Sequence, residues 1–266
     1  DFKRYVGGTI STNKNEVKSL GGENSMILSM SDGSAVISEV GQPLYSFYGY
    51  QTDGVFATDD AVVAAGKDGQ ALTNAIGVAF AAGDMRFVDQ NGDGKIDKED
   101  RVNLGNALPD FYGTFYTNFQ YKGLAVSAVF GYSKGNKMYN AVRRTMESMS
   151  DFSNQLTSVT RRWMYEGQIT DIPRAVYGDP MENSRFSDRW IEDASYLKLK
   201  ELMVSYKFNL FAGTTVFVAA ENLFTATKYL GMDPETMYSY DSSMRGFDYG
   251  KIASPRTVKL GFKVQF

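Results

Sequence analysis

The residues best able to do chemistry lie in one run, Asp89-Gln90-Asn91-Gly92-Asp93-Gly94-Lys95-Ile96-Asp97-Lys98-Glu99-Asp100. A twelve-residue calcium loop needs oxygen donors at positions 1, 3, 5 and 9, a glycine at 6, a backbone carbonyl at 7 and a carboxylate at 12. Asp89, Asn91, Asp93 and Asp97 fill the four donor positions, Gly94 fills the sharp turn, and Lys95 supplies its carbonyl. Ile96 follows as an apolar anchor. Asp100 stands where glutamate is usual, and its shorter arm implies one-oxygen or water-mediated binding. The chemistry expected is therefore coordination of one structural Ca2+ that rigidifies a long loop. The alternative is an acidic turn built on Asn-Gly and Asp-Gly, with no ion. A signalling EF-hand needs flanking amphipathic helices, and none is legible; Asp84-Met85-Arg86-Phe87-Val88 before the loop reads as strand.

No other residues suggest a reaction. The carboxylates of 84-100 resemble an acid/base pair only until the calcium register accounts for them, because hydrolysis needs a carboxyl of raised pKa in a cleft. With no histidine and no cysteine among 266 residues, Ser-His-Asp relays, thiolate nucleophiles, disulfides and the usual zinc sites are unavailable. The chain is expected not to be an enzyme. A net charge of -3 argues against nucleic acid as a partner.

The elements that must carry the acidic loop read as strands. Seventeen Tyr and eighteen Phe beside 26 Gly suit many strands joined by turns, with aromatic girdles at a membrane interface. Nowhere does an apolar run approach the ~20 residues of a spanning helix, whereas a tilted barrel strand needs only about 9–11 with alternation. Period-2 segments fall at roughly 1-17, 26-40, 45-56, 111-121, 124-134, 196-208, 214-224 and 258-266. That predicts an all-β, antiparallel transmembrane barrel fold with about eight strands. Short and long connections alternate, with 57-110, 135-195 and 225-257 long, as in barrels with short periplasmic turns and long extracellular loops. Residues 154-166 predict a helix in the second long loop, capped by Ser153 and Gly167, with Trp163 packing it down and Arg161, Arg162 and Tyr165 offered to a partner.

The last strand alternates strictly: Val258, Leu260, Phe262, Val264 and Phe266 share one face, and Lys259, Gly261, Lys263 and Gln265 the other. Lys259, Gly261, Val264 and Phe266 match, position by position, the assembly signal at the end of bacterial outer-membrane barrels. Asp1-Phe2-Lys3-Arg4-Tyr5 has no signal-peptide character, so an exported protein starting there is expected to be cut or to be a piece.

With these residues in view, the chain resembles the C-terminal part of SusC/RagA-type TonB-linked outer-membrane transporters of Bacteroidota. The resemblance rests on blocks in one order: Asn13-Lys14-Asn15-Glu16-Val17, Gly49-Tyr50-Gln51-Thr52-Asp53-Gly54-Val55-Phe56, and Gly83-Asp84-Met85-Arg86-Phe87 leading into the acidic loop. Asp110-Phe111-Tyr112-Gly113, Ala194-Ser195-Tyr196-Leu197-Lys198-Leu199-Lys200, Glu221-Asn222-Leu223-Phe224-Thr225, Gly231-Met232-Asp233-Pro234-Glu235 and Gly246-Phe247-Asp248-Tyr249 follow. The resemblance implies about a third of a 22-stranded wall in the cell outer membrane, in contact with its lipid. It also implies a plug and TonB box in an N-terminal portion absent here, contact with TonB through that portion, and a SusD-type lipoprotein lid. The function implied is import of glycans or peptides. Two rivals stay open: a scaffold barrel in a multi-protein outer-membrane complex, and a secreted calcium-binding β-domain of an adhesin or glycan-binding module. Whether the chain is a fragment, a cleaved product or half of a split barrel also stays open.

Overall fold

The computed structural model describes residues 2–208 and 213–264. Six long strands dominate it: β1 (Phe2–Thr12), β2 (Phe111–Tyr121), β3 (Leu124–Lys134), β4 (Tyr196–Phe208), β5 (Thr214–Thr227) and β6 (Thr257–Lys263). They pair antiparallel in chain order into one open sheet, with β1 and β6 at its edges. β2 and β3 are joined by the expected two-residue turn at Lys122-Gly123, where Lys122 takes a left-handed φ of 50°.

Because side chains alternate across a strand, register sorts every residue onto one of two faces. One row runs Phe119, Val126, Val204, Val218, Leu260, and another runs Tyr121, Leu124, Tyr206, Val216, Phe262. On that apolar face, aromatic residues gather toward the turn end (Phe2, Phe119, Tyr121, Tyr206, Phe208, Phe262) and toward the loop end (Phe111, Phe115, Phe130, Tyr132, Phe224). Aliphatic rows lie between, among them Ala128, Leu202, Ala220 and Val258. Among the described strand residues, charge on this face is confined to Arg4 near the turn end and Lys134 at the loop end. The opposite face is polar, with Thr9, Ser11, Asn118, Gln120, Ser127, Lys198, Glu201, Lys207, Glu221 and Lys259.

The sequence of β4 breaks phase at Lys200-Glu201, where two polar residues follow one another between Leu199 and Leu202. The structure absorbs the break with a bulge. Phe130 and Val129 are adjacent on β3 yet pair with Leu199 and Glu201, which leaves Lys200 as the extra residue. Leu202, Val204 and Tyr206 then return to the apolar face.

All eight predicted segments contain strand, but 26-40 and 45-56 do not join the long sheet. Asp32-Gly33 turns the first of them into a hairpin of Ser25–Ser29 and Ala35–Glu39, and the second yields only Ser46–Gly49 and Thr52–Val55. Pieces of four or five residues fall short of the ~9–11 that cross a membrane. Ser46–Gly49 instead joins Val102–Gly105 in a separate four-stranded sheet. The first long connection therefore runs over 13–110. Removing two consecutive strands leaves the alternation of short and long connections unchanged.

The long connections fold as a cap with its own packing. One core gathers Val36, Phe47, Leu104, Tyr139, Phe186, Trp190 and Phe247, which draws on all three long connections. A second gathers Phe56, Val62, Leu72, Phe80, Met85, Phe87 and Ile96 around helix α1 (Asp59–Ala65), whose first turn is capped by Thr58. Helix α2 (Ala141–Met146) is capped by Asn140. Asp84, fully buried, ties two connections together: Arg174 reaches both of its oxygens at 2.9 and 3.0 Å, and the Asn183 amide and the Ala81 N–H complete its shell at 3.1 and 3.0 Å.

The helix predicted over 154-166 is not formed. Only a 3-10 turn, Thr157–Arg161, appears there; neither Ser153 nor Gly167 caps it. A run of Thr, Ser, Val and Thr is a poor helix former, and the chain straightens so that the Trp163 N–H donates to the Ile172 carbonyl at 2.9 Å. Trp163 does pack down, with its ring over Gly83 in space that a Cβ would fill. Arg161 and Tyr165 remain exposed.

Candidate functional site

Where the polar face of the sheet meets the cap, a groove of about 590 Å³ opens. Tyr112, Asn136, Tyr196 and Lys200 line it from the wall side, and Glu235 and Arg245 from the last connection. Tyr196 and Lys200 face into it, and Lys198 stands between them on the strand, buried. Lys198, only 2% exposed, donates to Asp233 at 2.9 Å and to Glu235 at 3.1 Å; Lys200 also bonds Glu235, and the Tyr196 hydroxyl donates to it at 3.2 Å. Burial works to raise the Glu235 carboxyl, but the bonds from Lys200 and Lys198 prevail and hold it below the ordinary carboxylate range. The result is a charged clamp that fastens the segment around Pro234 onto the wall. Tyrosines, an amide, cations and an anion thus share one recess. In the sequence the clamp residues stand only within the resemblance blocks; the local signal for the clamp is two lysines, Lys198 and Lys200, at positions alternating with Leu197 and Leu199 on a strand.

The acidic loop lies elsewhere in the cap, against the second core. Ile96 is buried there, as its anchor position predicts, and Lys95–Ile96 pairs with Thr73–Asn74. Gly92 and Gly94 take φ of 70° and 85°, a region costly for side-chain-bearing residues. Asp89 accepts from the N–H groups of Gly92 and Gly94, both at 2.8 Å. Asn91 accepts from Asp93 at 2.9 Å and Asp93 from Lys95 at 2.8 Å. Asp100, fully buried, accepts from Gln90 and Asp97 at 2.9 and 2.8 Å. Burial pushes its carboxyl up, and the charges of Asp89 and Asp97 add to the shift. The oxygen donors fit a hard cation by type and by loop path. Among the described residues, however, no three Asp or Glu side chains converge as a metal cluster.

Of the terminal signal, Lys259 and Gly261 lie on the polar face of β6, Lys259 bonded to Glu221 at 2.5 Å. Gly261 faces Phe217 across the ladder, and the Phe217 ring occupies the space where a Cβ would stand. Val264 lies just past the strand, and Phe266 is outside the described residues.

No protein-family model matches the chain. Among curated proteins it is 28% identical over 285 residues to TonB-dependent receptor P3 of Formosa agariphila, covering 100% of this chain and 27% of that protein. To TonB-dependent receptor SusC of Bacteroides thetaiotaomicron it is 26% identical over 191 residues, covering 68% of this chain and 17% of the other. Among solved structures, the RagAB peptide transporter matches with a TM-score of 0.75 at 23% identity, over 98% of this chain and 27% of that one. The chain is similar over its whole length to part of a TonB-dependent receptor, and over 68% of it to part of SusC. It spans about a quarter of the length of the relatives it matches. The open antiparallel sheet thus has the fold of part of the RagA barrel, which is not closed by this chain alone.

Proposed function

We propose that this chain is a stretch of wall and extracellular cap in an outer-membrane nutrient importer of the SusC type, whose cargo belongs to the glycan or peptide class. The observation that carries the reading is the pair of aromatic bands on the apolar face. From Tyr121 to Phe111 is ten residues, about 34 Å along the strand at ~3.4 Å per residue. At a tilt of about 40° that becomes roughly 26 Å of height, close to the ~25 Å apolar band of outer-membrane barrels. The cap then stands outside and the Lys122-Gly123 turn faces the periplasm.

A SusD-type lipoprotein closes the cap from above, and TonB acts through the remainder of the transporter. The cap offers such a lid an exposed Phe152–Tyr177 pair at 5.3 Å, and also exposes Ile169, Arg161 and Tyr165. Cysteines introduced singly at Ile169 and Tyr240, both over 90% exposed, should react with an impermeant thiol reagent on intact cells, while one at Lys122 should not. Labelling at Lys122 alone would invert the topology. For import itself, Lys200→Ala with Glu235→Ala in the complete transporter should reduce uptake of its cargo while leaving the barrel at normal abundance. Unchanged uptake would remove the groove from the cargo path.

We further propose that the loop 89–100 binds one Ca2+ through Asp89, Asn91, Asp93, Asp97, Asp100 and the Lys95 carbonyl. The register of donor types and the left-handed glycines support this. Bound there, the ion would supply positive charge and coordination to a loop whose carboxylates otherwise repel.

A further inference from the structure

A second recess, with a volume of about 470 Å³, lies at the loop end of the wall. Phe111, Tyr132 and Ala226 line it from the apolar face, Ser133, Tyr196 and Thr227 from the other, and Lys134, Asp193, Ser195 and Lys228 at its rim. Tyr132, Leu197 and Ala226 make one cross-strand row of the apolar face. Ser133, Tyr196 and Thr227 make the next row, on the other face. One step further along the three strands come Lys134, Ser195 and Lys228. Lys134 closes β3 and Lys228 follows the end of β5; both line the recess, and both add to the Ser195 hydrogen bond in holding the Asp193 carboxyl down.

The counter-charge is Asp193. Its carboxyl is 3.9 Å from the Lys134 ammonium, in a pair whose members are 57% and 44% exposed, so the pair contributes little. The Ser195 hydroxyl also donates to Asp193, which holds that carboxylate against the loop. One of the two positive charges is thus left over, at a level where an acyl surface below meets polar headgroups above.

We propose that this recess holds the phosphorylated headgroup of an outer-leaflet glycolipid, with Lys134 and Lys228 on the phosphate and the acyl chains along Phe111, Tyr132, Leu197 and Ala226. The inference rests on the outer-membrane reading above. All of its residues come from four adjacent strands and their flanks, so the missing remainder of the barrel does not interrupt it.

The test uses the complete transporter purified from outer membrane in detergent, incubated with lipid A or with phosphatidylglycerol and read by native mass spectrometry. Lys134→Ala with Lys228→Ala should lower the lipid A adduct roughly tenfold or more, in keeping with the attraction each cation adds at an anionic surface. Asp193→Asn should raise it, a change that misfolding would not produce. Equal adducts in wild type and the double variant would overturn the proposal, as would equal binding of the two lipids. Loss of outer-membrane fractionation or heat-modifiable migration in the wild type would instead overturn the membrane reading itself.

Discussion

Replacing Asp84 with alanine should loosen the cap while leaving the wall intact. Its carboxylate is fully buried and takes four hydrogen bonds, two of them from Arg174. Removing one partner of a buried pair costs about 3–5 kcal/mol, because the other is left uncompensated. Arg174 is 34% exposed, so water can solvate it, and the expected cost lies near the lower end, about 3 kcal/mol. At about 1.4 kcal/mol per tenfold, local opening becomes roughly a hundredfold more frequent. Hydrogen exchange reads this directly at two amides on either side of the pair. The Arg174 N–H donates to the Gly83 carbonyl at 2.7 Å, and the Met85 N–H to the Asn183 side chain at 2.7 Å. Both should exchange about a hundred times faster in Asp84→Ala, while amides of the β3–β4 ladder keep wild-type rates. Asp84→Ala with Arg174→Ala should cost less than the two single changes added together. Exchange within about threefold of wild type, or strict additivity, would show that the pair does not hold the connections together.

Calorimetry on the complete transporter should find one calcium per chain, and Asp93→Ala should weaken binding by at least about tenfold; an unchanged titration would dismiss the loop as a metal site. Gly261→Leu should reduce heat-modifiable barrel in the outer membrane, because the Phe217 ring already fills the space above Gly261, and Phe217→Ala should partly restore it. Burial pushes the Asp188 carboxyl up while the Thr52 N–H and hydroxyl donate to it at 3.0 and 2.6 Å. Its folded form therefore holds a proton to higher pH than the unfolded chain does, so its contribution to stability is present at low pH and lost as pH rises through the folded value. Asp188→Asn should accordingly raise the thermal midpoint of the cap at pH 7, and the gain should shrink toward pH 4.

The wall was legible in the sequence because period-2 alternation runs over eleven or more residues in five of its six strands, and the order of short and long connections fits a barrel. The cap was not. Short strands such as Ser46–Gly49 carry the same local alternation as the wall, and only length and tertiary pairing separate them. The false helix at 154-166 came from three apolar residues at helical spacing, a signal too sparse to outweigh a run of β-branched and hydroxyl residues. Helices α1 and α2 carry their signal in their caps, Thr58-Asp59-Asp60 and Asn140. The acidic loop was legible in its register; the clamp at Lys198 and Lys200 depends on a partner segment some 35 residues away, which local patterns do not carry.

Lys200 is an inserted residue. Deleting it would bring Leu199 next to Glu201 and leave every other side chain of β4 on the face it already occupies, in an unbroken ladder with β3, while β5 keeps Asn222 and Leu223 between the partners Glu221 and Phe224. The sheet thus has no need of this position, and its side chain is free to serve the loop alone. A strand that must present grease to lipid at every second step has few places to acquire a new polar function by substitution. Adding a residue gives it one without surrendering a lipid-facing site, so length variation within wall strands, as well as in loops, is a route by which such a barrel can change what it grips.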